Sequence, residues 1–460
     1  MTYTRTGCWV LTAVFAAALE GCGSNNPDSG ANNSADGGKL TDSGGVRDTG
    51  AGVPGVDSSP GAGLDSGAEA GPAPPSCATG GVENLVTADT AFALAFFPPA
   101  VAQANGGSAN AILSPYSVSN AMMMVDVGAL GETDTQIETV LQLPGSGAAE
   151  AAAYGGLACE MQAYVSSSGN ALEIANSLWG QQGVPFETAF LNVLDRGYGA
   201  PLQTVDFQSD PTAATTTINN WVSQTTQGNV PSLLGPADVD TKTRLVLVNA
   251  IYFKGQWATG FDPTLTAQAP FNLADGTQTT VTTMTGTINA SVGYGSTLTV
   301  LELPYLGNAL AMDVLMPTGG TLATFASALS SATLSAALAS LGAPQWFSVY
   351  LPRFSVTTHV ELASVLAGMG MTDAFNSQTA NLSGMDGAMD LSIGAVVQQA
   401  RIDVGEQGTV AAAGTGVSVC SDCLAITMPP TVRIDRPFLF LIRDLRTQAI
   451  LFMGQVVNPG

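Results

Sequence analysis

The chain has 460 residues, of which 36 are acidic and 13 basic, so its formal net charge at pH 7 is −23. The single histidine, His359, excludes a multi-histidine metal site and restricts histidine-dependent catalysis to that one residue. The net negative charge repels nucleic acid and other polyanions, and no basic residue lies between Arg47 and Arg196. Polyanions are therefore excluded as partners.

Residues 1–21 are predicted to be an export signal. The apolar run Cys8–Leu19 has about 12 residues, which is too short for a permanent membrane helix. It ends in Leu19-Glu20-Gly21-Cys22, which resembles the lipobox of bacterial lipoproteins, in which the cysteine carries the lipid. Glu20 departs from the small residue that is usual there. We expect a lipid on Cys22; the alternative is an ordinary cleaved signal.

Residues 22–77 form a predicted disordered linker. They are rich in Gly, Ser, Asp, Asn, Ala and Pro, and residues 23–76 contain no aromatic residue. Such a segment buries too little apolar surface to offset the entropy of ordering it. As a flexible coil it would span roughly 40 Å. It would hold a folded domain clear of a membrane, and a linker without an anchor is the alternative.

Residues 78–460 are predicted to form one large α+β domain, because no second Gly- and Pro-rich break and no internal repeat interrupts them. The first half favours helices. Pro98 and Pro99 are expected to end the first helix, and Thr133 is predicted to begin a capping box. The predicted helices are Ala91–Phe97, Tyr116–Val127, Thr133–Leu141, Phe186–Leu194 and Thr212–Val222.

Strands dominate the prediction for the second half, where segments are rich in β-branched and aromatic residues. One helix, Val360–Met369, interrupts them, and His359 is interpreted as a strand-to-helix connection rather than a catalytic base. The predicted strands are Arg244–Phe253, Thr297–Leu303, Ala311–Met316, Phe347–Leu351 and Arg433–Ile442.

Five separated motifs resemble those of one family. Val432–Ile442 is similar to the serpin signature, and Leu451–Pro459 is similar to the serpin C-terminus. Leu247–Trp257 resembles the third strand of the central serpin sheet, and Ile112–Ser119 resembles the start of the second helix. Met371–Phe375, followed by Asn381–Met385, is the fifth match. The resemblance covers about residues 80–460. It implies a serpin fold with three β-sheets, about eight to nine helices and an exposed reactive loop at about 406–428.

The segment that begins at Glu406 resembles the hinge of inhibitory serpins. In the family this hinge inserts into the central sheet as a new strand, a known case of strand addition. Alternate residues of a strand face the same side, so Thr409, Ala411, Ala413 and Thr415 are predicted to point into the core. All are small and uncharged, which permits burial. The predicted hinge residues are Glu406, Gly408, Thr409, Ala411, Ala412, Ala413 and Thr415.

The resemblance implies inhibition by suicide trapping. A protease forms an acyl-enzyme on the loop, and the cut strand inserts before the acyl-enzyme is hydrolysed. Counting from Glu406 as in the family gives Asp422–Cys423 as the reactive bond. The loop is several residues longer than in many relatives, so the bond is open within 419–426. The resemblance implies an endopeptidase as the target, and we expect the serine class first and the cysteine class second.

Two control regions also follow from the resemblance. At the breach, Glu406 and Arg353 match residues that pair, and Trp257 matches their neighbour. At the shutter, where the family has a histidine, this chain has Gln398, whose amide donates and accepts without pH sensitivity. The predicted shutter residues are Ser114, Ser117, Asn249 and Gln398.

The sequence also indicates which partners the protein lacks. The helix expected around Ala148–Tyr164 has no Lys or Arg, so heparin binding is not expected, and neither is a cofactor or a metal. Disulfides Cys420–Cys423 and Cys77–Cys159 are both left open. We expect a monomeric, exported, lipid-anchored inhibitor at the cell envelope or outside the cell. The alternatives are a non-inhibitory serpin that binds partners and, less consistent with a single histidine, an enzyme.

Overall fold

The computed structural model describes residues 80–143, 145, 148–168, 170–200, 202–409 and 428–460. The predicted export signal, Cys22 and the linker lie outside the described residues. So does most of the predicted reactive loop, because the description stops at Thr409 and resumes at Met428.

The described ranges contain ten α-helices, against the eight to nine that were expected. The longest, α1, is apolar enough to cross a membrane, but 61% of its most apolar window is buried inside the domain, as in a core helix. A five-residue π-helix, Leu194–Tyr198, follows α5. The helices are α1 (Val82–Asn105), α2 (Pro115–Asp126), α3 (Glu132–Leu141), α4 (Ala148–Ser168), α5 (Thr188–Val193), α6 (Pro211–Thr225), α7 (Leu322–Ala328), α8 (Ser331–Ala339), α9 (Ala363–Gly368) and α10 (Ser383–Asp386).

Fifteen strands lie among the described residues. They are β1 (Ala111–Leu113), β2 (Ala171–Gln181), β3 (Gln203–Val205), β4 (Leu245–Gln256), β5 (Ala267–Asn272), β6 (Gln278–Tyr294), β7 (Leu298–Pro304), β8 (Leu310–Pro317), β9 (Gln345–Pro352), β10 (Phe354–Glu361), β11 (Ile393–Gly405), β12 (Gly408–Thr409), β13 (Thr431–Arg433), β14 (Phe438–Asp444) and β15 (Ile450–Val456).

A six-stranded sheet with the order β10-β11-β12-β4-β2-β3 forms the centre of the domain. At β4 both faces of this sheet are buried. On β4, Leu247 and Ile251 join the main hydrophobic core, whereas Val246 and Val248 face a second core that α6 covers with Ile218. This two-sided burial explains the nearly continuous apolar run along β4, which is typical of a central strand rather than of a half-exposed one.

The other strands form a nine-stranded assembly that divides at β6. The last part of β6 pairs with β7, and the preceding part pairs with β5 and β9. With the central sheet this makes three β-sheets, two of which share β6. The α+β class and the three-sheet serpin architecture expected from the sequence are therefore confirmed.

Several local predictions were wrong. The first helix does not end before Pro98, because α1 continues through Pro98 and Pro99 to Asn105, and the buried apolar face outweighs the cost of the prolines. Thr133 is not a cap: Gly131 precedes α3, and the buried Thr133 hydroxyl accepts a hydrogen bond from the Asn381 N–H.

Other predicted boundaries also shift. The strand predicted for Arg433–Ile442 is two strands, β13 and β14, which pair with different neighbours. The helix predicted for Val360–Met369 begins only at Ala363, because the chain remains in β10 up to Glu361. His359 therefore lies within β10, on its exposed side, close to the strand-to-helix connection.

Candidate functional site

The site is the seam between β4 and β11 in the central sheet. The two strands pair in parallel from Ile393–Leu245 to Arg401–Tyr252, and this pairing closes the seam over most of its length. Towards the end of β11 they separate, and β12 lies between them. The seam is thus closed along its length and occupied by a short third strand at one end.

The strand β12 consists of the first two residues that follow the turn after β11. Thr409 pairs with Val404 of β11 and with Gly255 of β4, antiparallel to both. Gly408 has φ 135°, and a Cβ atom there would lie 2.1 Å from the Gly255 carbonyl oxygen. Only glycine fits this close approach, so Gly408 is what allows the chain to enter the sheet.

Thr409 is fully buried and points into the core, as the alternation in the sequence predicted for this position. Its hydroxyl lies 3.0 Å from the Tyr305 hydroxyl, and either group can be the donor. Burial raises the pKa of Tyr305 well above its usual value, so the phenol stays protonated. The contact satisfies two hydroxyl groups that would otherwise be buried without partners.

The turn that leads into β12 is held by Trp257 and Phe261. The Trp257 indole N–H donates to the Gly405 carbonyl at 2.9 Å, and its backbone N–H donates to the Gln407 carbonyl at 3.0 Å. The Phe261 N–H donates to the Glu406 carbonyl at 2.8 Å. The Trp257 ring also stacks on the Tyr305 ring, with 4.6 Å between the ring centroids. The same pair of aromatic side chains therefore contacts both the turn and the hinge.

The structure brings the two predicted breach charges together. The Arg353 Nε atom lies 3.6 Å from a Glu406 carboxylate oxygen, and the other Glu406 oxygen accepts from the Thr266 hydroxyl at 2.9 Å. The Arg353 side chain is 53% exposed, so this ion pair contributes at most about 1 kcal/mol. Glu406 is therefore fixed by two partners, of which the arginine is the weaker.

The predicted shutter residues meet in the middle of the same seam. Gln398 and Asn249 are register partners across β11 and β4. The Gln398 Nε2 donates to the Asn249 Oδ1 at 2.6 Å and to the Ser114 carbonyl at 2.9 Å, while its Oε1 accepts from the Ser114 N–H at 3.1 Å. One amide therefore links both strands to the start of α2, with its donor and acceptor both in use.

The serines of the shutter contribute differently. The Ser114 hydroxyl caps α2 by accepting from the Ser117 N–H at 3.2 Å, and it donates to the Leu451 carbonyl at 2.7 Å. The Ser117 hydroxyl is buried and has no hydrogen-bond partner among the described residues. Ser117 thus contributes its backbone, whereas Ser114 contributes its side chain.

Three side chains that form hydrogen bonds at the site were not predicted from the sequence. Tyr305 reaches Thr409, Thr266 reaches Glu406, and Asn176 accepts from the Asn249 amide at 2.7 Å. These contacts join positions far apart in the chain, so no local pattern indicates them. The remaining predicted residues lie outside the described ones: Ala411, Ala412, Ala413, Thr415, Cys420, Asp422 and Cys423.

Comparison with known proteins shows extensive similarity. The family model for serpins (serine protease inhibitors) matches residues 87–459. Human Serpin B11 is 36% identical over 394 residues, covering 82% of this chain and all of the relative. Human leukocyte elastase inhibitor is also 36% identical, with the same coverage, and an uncharacterized serpin-like protein of Methanosarcina acetivorans is 31% identical over 82% of this chain and 86% of its own length.

Solved structures agree with these matches. The crystal structure of native protease nexin-1 with heparin aligns with a TM-score of 0.72 and 29% identity, and uncleaved ovalbumin aligns with 0.71 and 27%. Each alignment covers 82% of this chain and all of the other chain.

Proposed function

The chain belongs to the serpin family, and from that premise we propose that it is an exported inhibitor of endopeptidases that acts by loop insertion. Relatives with inhibitor names support the general class: leukocyte elastase inhibitor and plasminogen activator inhibitor 2 are both similar over 82% of this chain. Members of this family are in general protease inhibitors rather than enzymes, so we propose no catalytic residues.

The hinge in the sheet is the observation that carries the proposal. Gly408 and Thr409 already pair with both β11 and β4, so the loop enters the sheet in the register that insertion requires. The next residues predicted to face inward, Ala411, Ala413 and Thr415, are small and uncharged in the sequence. Extending β12 would therefore bury neither a charge nor a large side chain.

Insertion requires the seam to open, and the shutter controls that step. Each added residue must separate β4 from β11 further, and growth of the strand past the shutter must break the hydrogen bond between the Gln398 and Asn249 side chains. Closed, the seam satisfies these buried amides, which makes spontaneous opening slow and holds the domain in a kinetically stable state. Cleavage of the loop frees its strand to enter, and trapping succeeds if entry is faster than hydrolysis of the acyl-enzyme.

We further propose that the protein is exported and held to a membrane by a lipid on Cys22. The signal-like run before Cys22 supports this, as does the disulfide at Cys159, because structural disulfides persist mainly in oxidising compartments. The proposed reactive bond stays Asp422–Cys423, within 419–426. The proposed target is a serine endopeptidase, with a cysteine endopeptidase as the second class.

A protease panel analysed on denaturing gels tests the inhibitory function. We expect a complex with at least one serine endopeptidase that survives boiling, because the trapped acyl bond is covalent. Mass spectrometry of the released C-terminal peptide would locate the cleaved bond. Loop cleavage without complex, by enzymes that stay fully active, would refute inhibition and favour the non-inhibitory binding protein. The anchor is tested separately, by palmitate labelling that should be lost in Cys22→Ala.

A further inference from the structure

Helix α4 packs on a buried carboxyl group. Asp89 of α1 is 4% exposed, and its Oδ1 atom accepts a hydrogen bond from the Ser119 hydroxyl of α2 at 2.6 Å. The Tyr154 hydroxyl of α4 lies 3.1 Å and 3.0 Å from the two Asp89 oxygens. The ionisable groups that face Asp89 in the described part of the chain are the phenols of Tyr154 and Tyr116, and burial keeps both protonated. Asp89 therefore joins three helices through hydroxyl groups, and no described cation lies beside it.

A second buried carboxyl group lies at the C-terminal end of α2. Asp126 is 3% exposed, and its Oδ1 atom has no hydrogen-bond partner among the described residues. Asp134 and Glu138 of α3 lie near it, as does Glu150 in the first turn of α4. Tyr198 of the π-helix lies near both Asp126 and Glu150. The Glu150 Oε2 atom and the Tyr198 hydroxyl are likewise buried without a described partner. Each ionisable side chain of this cluster is neutral or negative, so none of them can balance a charge on Asp126.

The helices around these two carboxyl groups supply no positive charge. The chain has no Lys, Arg or His between Arg47 and Arg196, so α1 to α4 contain none, and Arg196 itself is exposed. Within the described residues, no group of three or more acidic, His or Cys side chains is placed to hold a metal ion. A buried carboxylate without a cation is much less stable than the neutral acid, so both side chains favour the protonated form. Burial accordingly raises the pKa of Asp89 to about 7, and burial together with the neighbouring carboxylates raises the pKa of Asp126 to about 8.

We propose that the attachment of α4 depends on pH, so that α4 stays on α1 and α2 while Asp89 and Asp126 are protonated and detaches when both ionise. Detachment brings both carboxyl groups into water, where they release their two protons to the solvent with an ordinary pKa of about 4. Above about pH 4 the attached state therefore binds more protons than the detached state, and attachment weakens as pH rises. The weakening ends near the raised pKa of each group, about 7 for Asp89 and about 8 for Asp126. Below about pH 4 both states are protonated, and attachment is strongest.

The other end of α4 reaches the strand that pairs with the hinge. Asn170, just beyond α4, accepts from the Gln256 N–H at 3.1 Å, and Gln256 of β4 pairs with Gly408. Met161 of α4 and Leu172 of β2 line one cavity, so α4 also covers part of β2, which pairs with β4. Insertion requires β4 to separate from β11, and an attached α4 opposes that movement. We therefore expect detachment of α4 to speed insertion, a consequence that rests on the proposed function.

Hydrogen exchange of the full chain tests the attachment. The amide exchange rate in α4, compared with that of an unstructured peptide at the same pH, gives the protection of the helix. With both groups titrating, this protection should fall by up to about 100-fold per pH unit between about pH 5 and about pH 7, and by up to about tenfold from there to about pH 8. The core strand β14 should stay at least about tenfold better protected, because α4 detaches before the domain unfolds. Equal protection of α4 and β14 at every pH, or a protection of α4 that does not change with pH, would overturn the proposal.

Substitution by asparagine, which has the shape of a protonated carboxyl group but cannot ionise, identifies the groups. In Asp89→Asn the protection of α4 should fall at most about tenfold per pH unit, and in Asp89→Asn with Asp126→Asn it should not depend on pH. Glu132→Gln removes an exposed acid in the first turn of α3, so it is the matched control and should keep the original profile. A double variant that keeps the original profile contradicts the proposal. If the double variant does not fold, the profile of the original chain decides.

The link to insertion is tested by the rate of protease trapping at about pH 6 and about pH 8. Dividing the rate of the original chain by that of the double variant removes the pH dependence of the protease itself. This ratio should rise by about fivefold or more between the two pH values. A constant ratio would contradict the link. If neither chain traps a protease, the proposed function fails, while hydrogen exchange still decides on the attachment of α4.

Discussion

The substitution Thr409→Arg tests whether trapping of a protease requires the hinge to enter the sheet. Thr409 is fully buried between Val404 and Gly255, and its hydroxyl contacts Tyr305. An arginine there would place an unpaired charge in the core at a cost of several kcal/mol. Leaving the sheet loses only β12 and its few hydrogen bonds, each worth about 1 kcal/mol. We therefore expect the variant to remain folded with its hinge outside the sheet.

The consequence appears after cleavage. Full insertion must carry position 409 into the core, so the barrier rises by roughly 3 kcal/mol or more, which slows insertion at least about 100-fold. Hydrolysis of the acyl-enzyme then precedes trapping, and the inhibitor becomes a substrate. The assay is the ratio of boiling-stable complex to cleaved inhibitor on denaturing gels, which should fall to a few per cent of its original value.

Two further variants calibrate this result. Gln407→Arg adds the same charge at a half-exposed position of the turn and should retain most of the complex. Tyr305→Phe removes one hydroxyl and leaves that of Thr409 without its partner, a loss of about 1–3 kcal/mol. It should loosen the hinge, seen as faster amide exchange at Gly408 and Thr409, without abolishing trapping. Undiminished complex with Thr409→Arg would refute the assignment of the hinge.

Burial raises the pKa of Asp89 to about 7, against an unfolded value of 3.8. The native state therefore keeps a proton that the unfolded chain releases, and the free energy of unfolding falls as pH rises from about 4 to about 7. Asp89→Asn should remove this residue's contribution to the pH dependence, on the order of 4 kcal/mol over that range, in urea unfolding; an unchanged pH dependence would place the titration elsewhere. Gln398→His should destabilise the domain below about pH 6.5 relative to the original chain, because a protonated imidazole cannot accept from the Ser114 N–H; parallel melting curves at all pH values would contradict this. Arg353→Ala should change the trapping rate less than about fivefold, because Glu406 keeps its second partner; a larger loss in stopped-flow kinetics would show that the exposed pair controls opening.

The fold and the position of the hinge could be predicted from the sequence because both depend on local patterns. The apolar run of β4 and the small residues after Glu406 are such patterns, and Thr409 lies inside the sheet as the alternation predicted. The five motifs also placed Gln398 and Asn249 at one shutter through family resemblance, and the structure shows them hydrogen-bonded.

The rest depends on tertiary contacts that leave no mark on neighbouring residues. Tyr305 is 104 residues from Thr409, and Thr266 is 140 residues from Glu406. The prolines in α1 show the reverse case, in which a strong local signal predicted the wrong boundary. There the burial of side chains on both sides of Pro98, including Phe97 and Val101, stabilises a helix that local preference disfavours.

The orientation of β12 has a consequence for the energy available to the domain. β4 and β11 run parallel where they meet, whereas β12 runs antiparallel to both. Each residue added to β12 therefore replaces one slanted parallel pairing with two straight antiparallel ones, and antiparallel pairs are somewhat more stable per residue. The native sheet therefore has a less favourable strand arrangement than the sheet with an extended β12. Gly408 and Thr409 are already the first two residues of that extension.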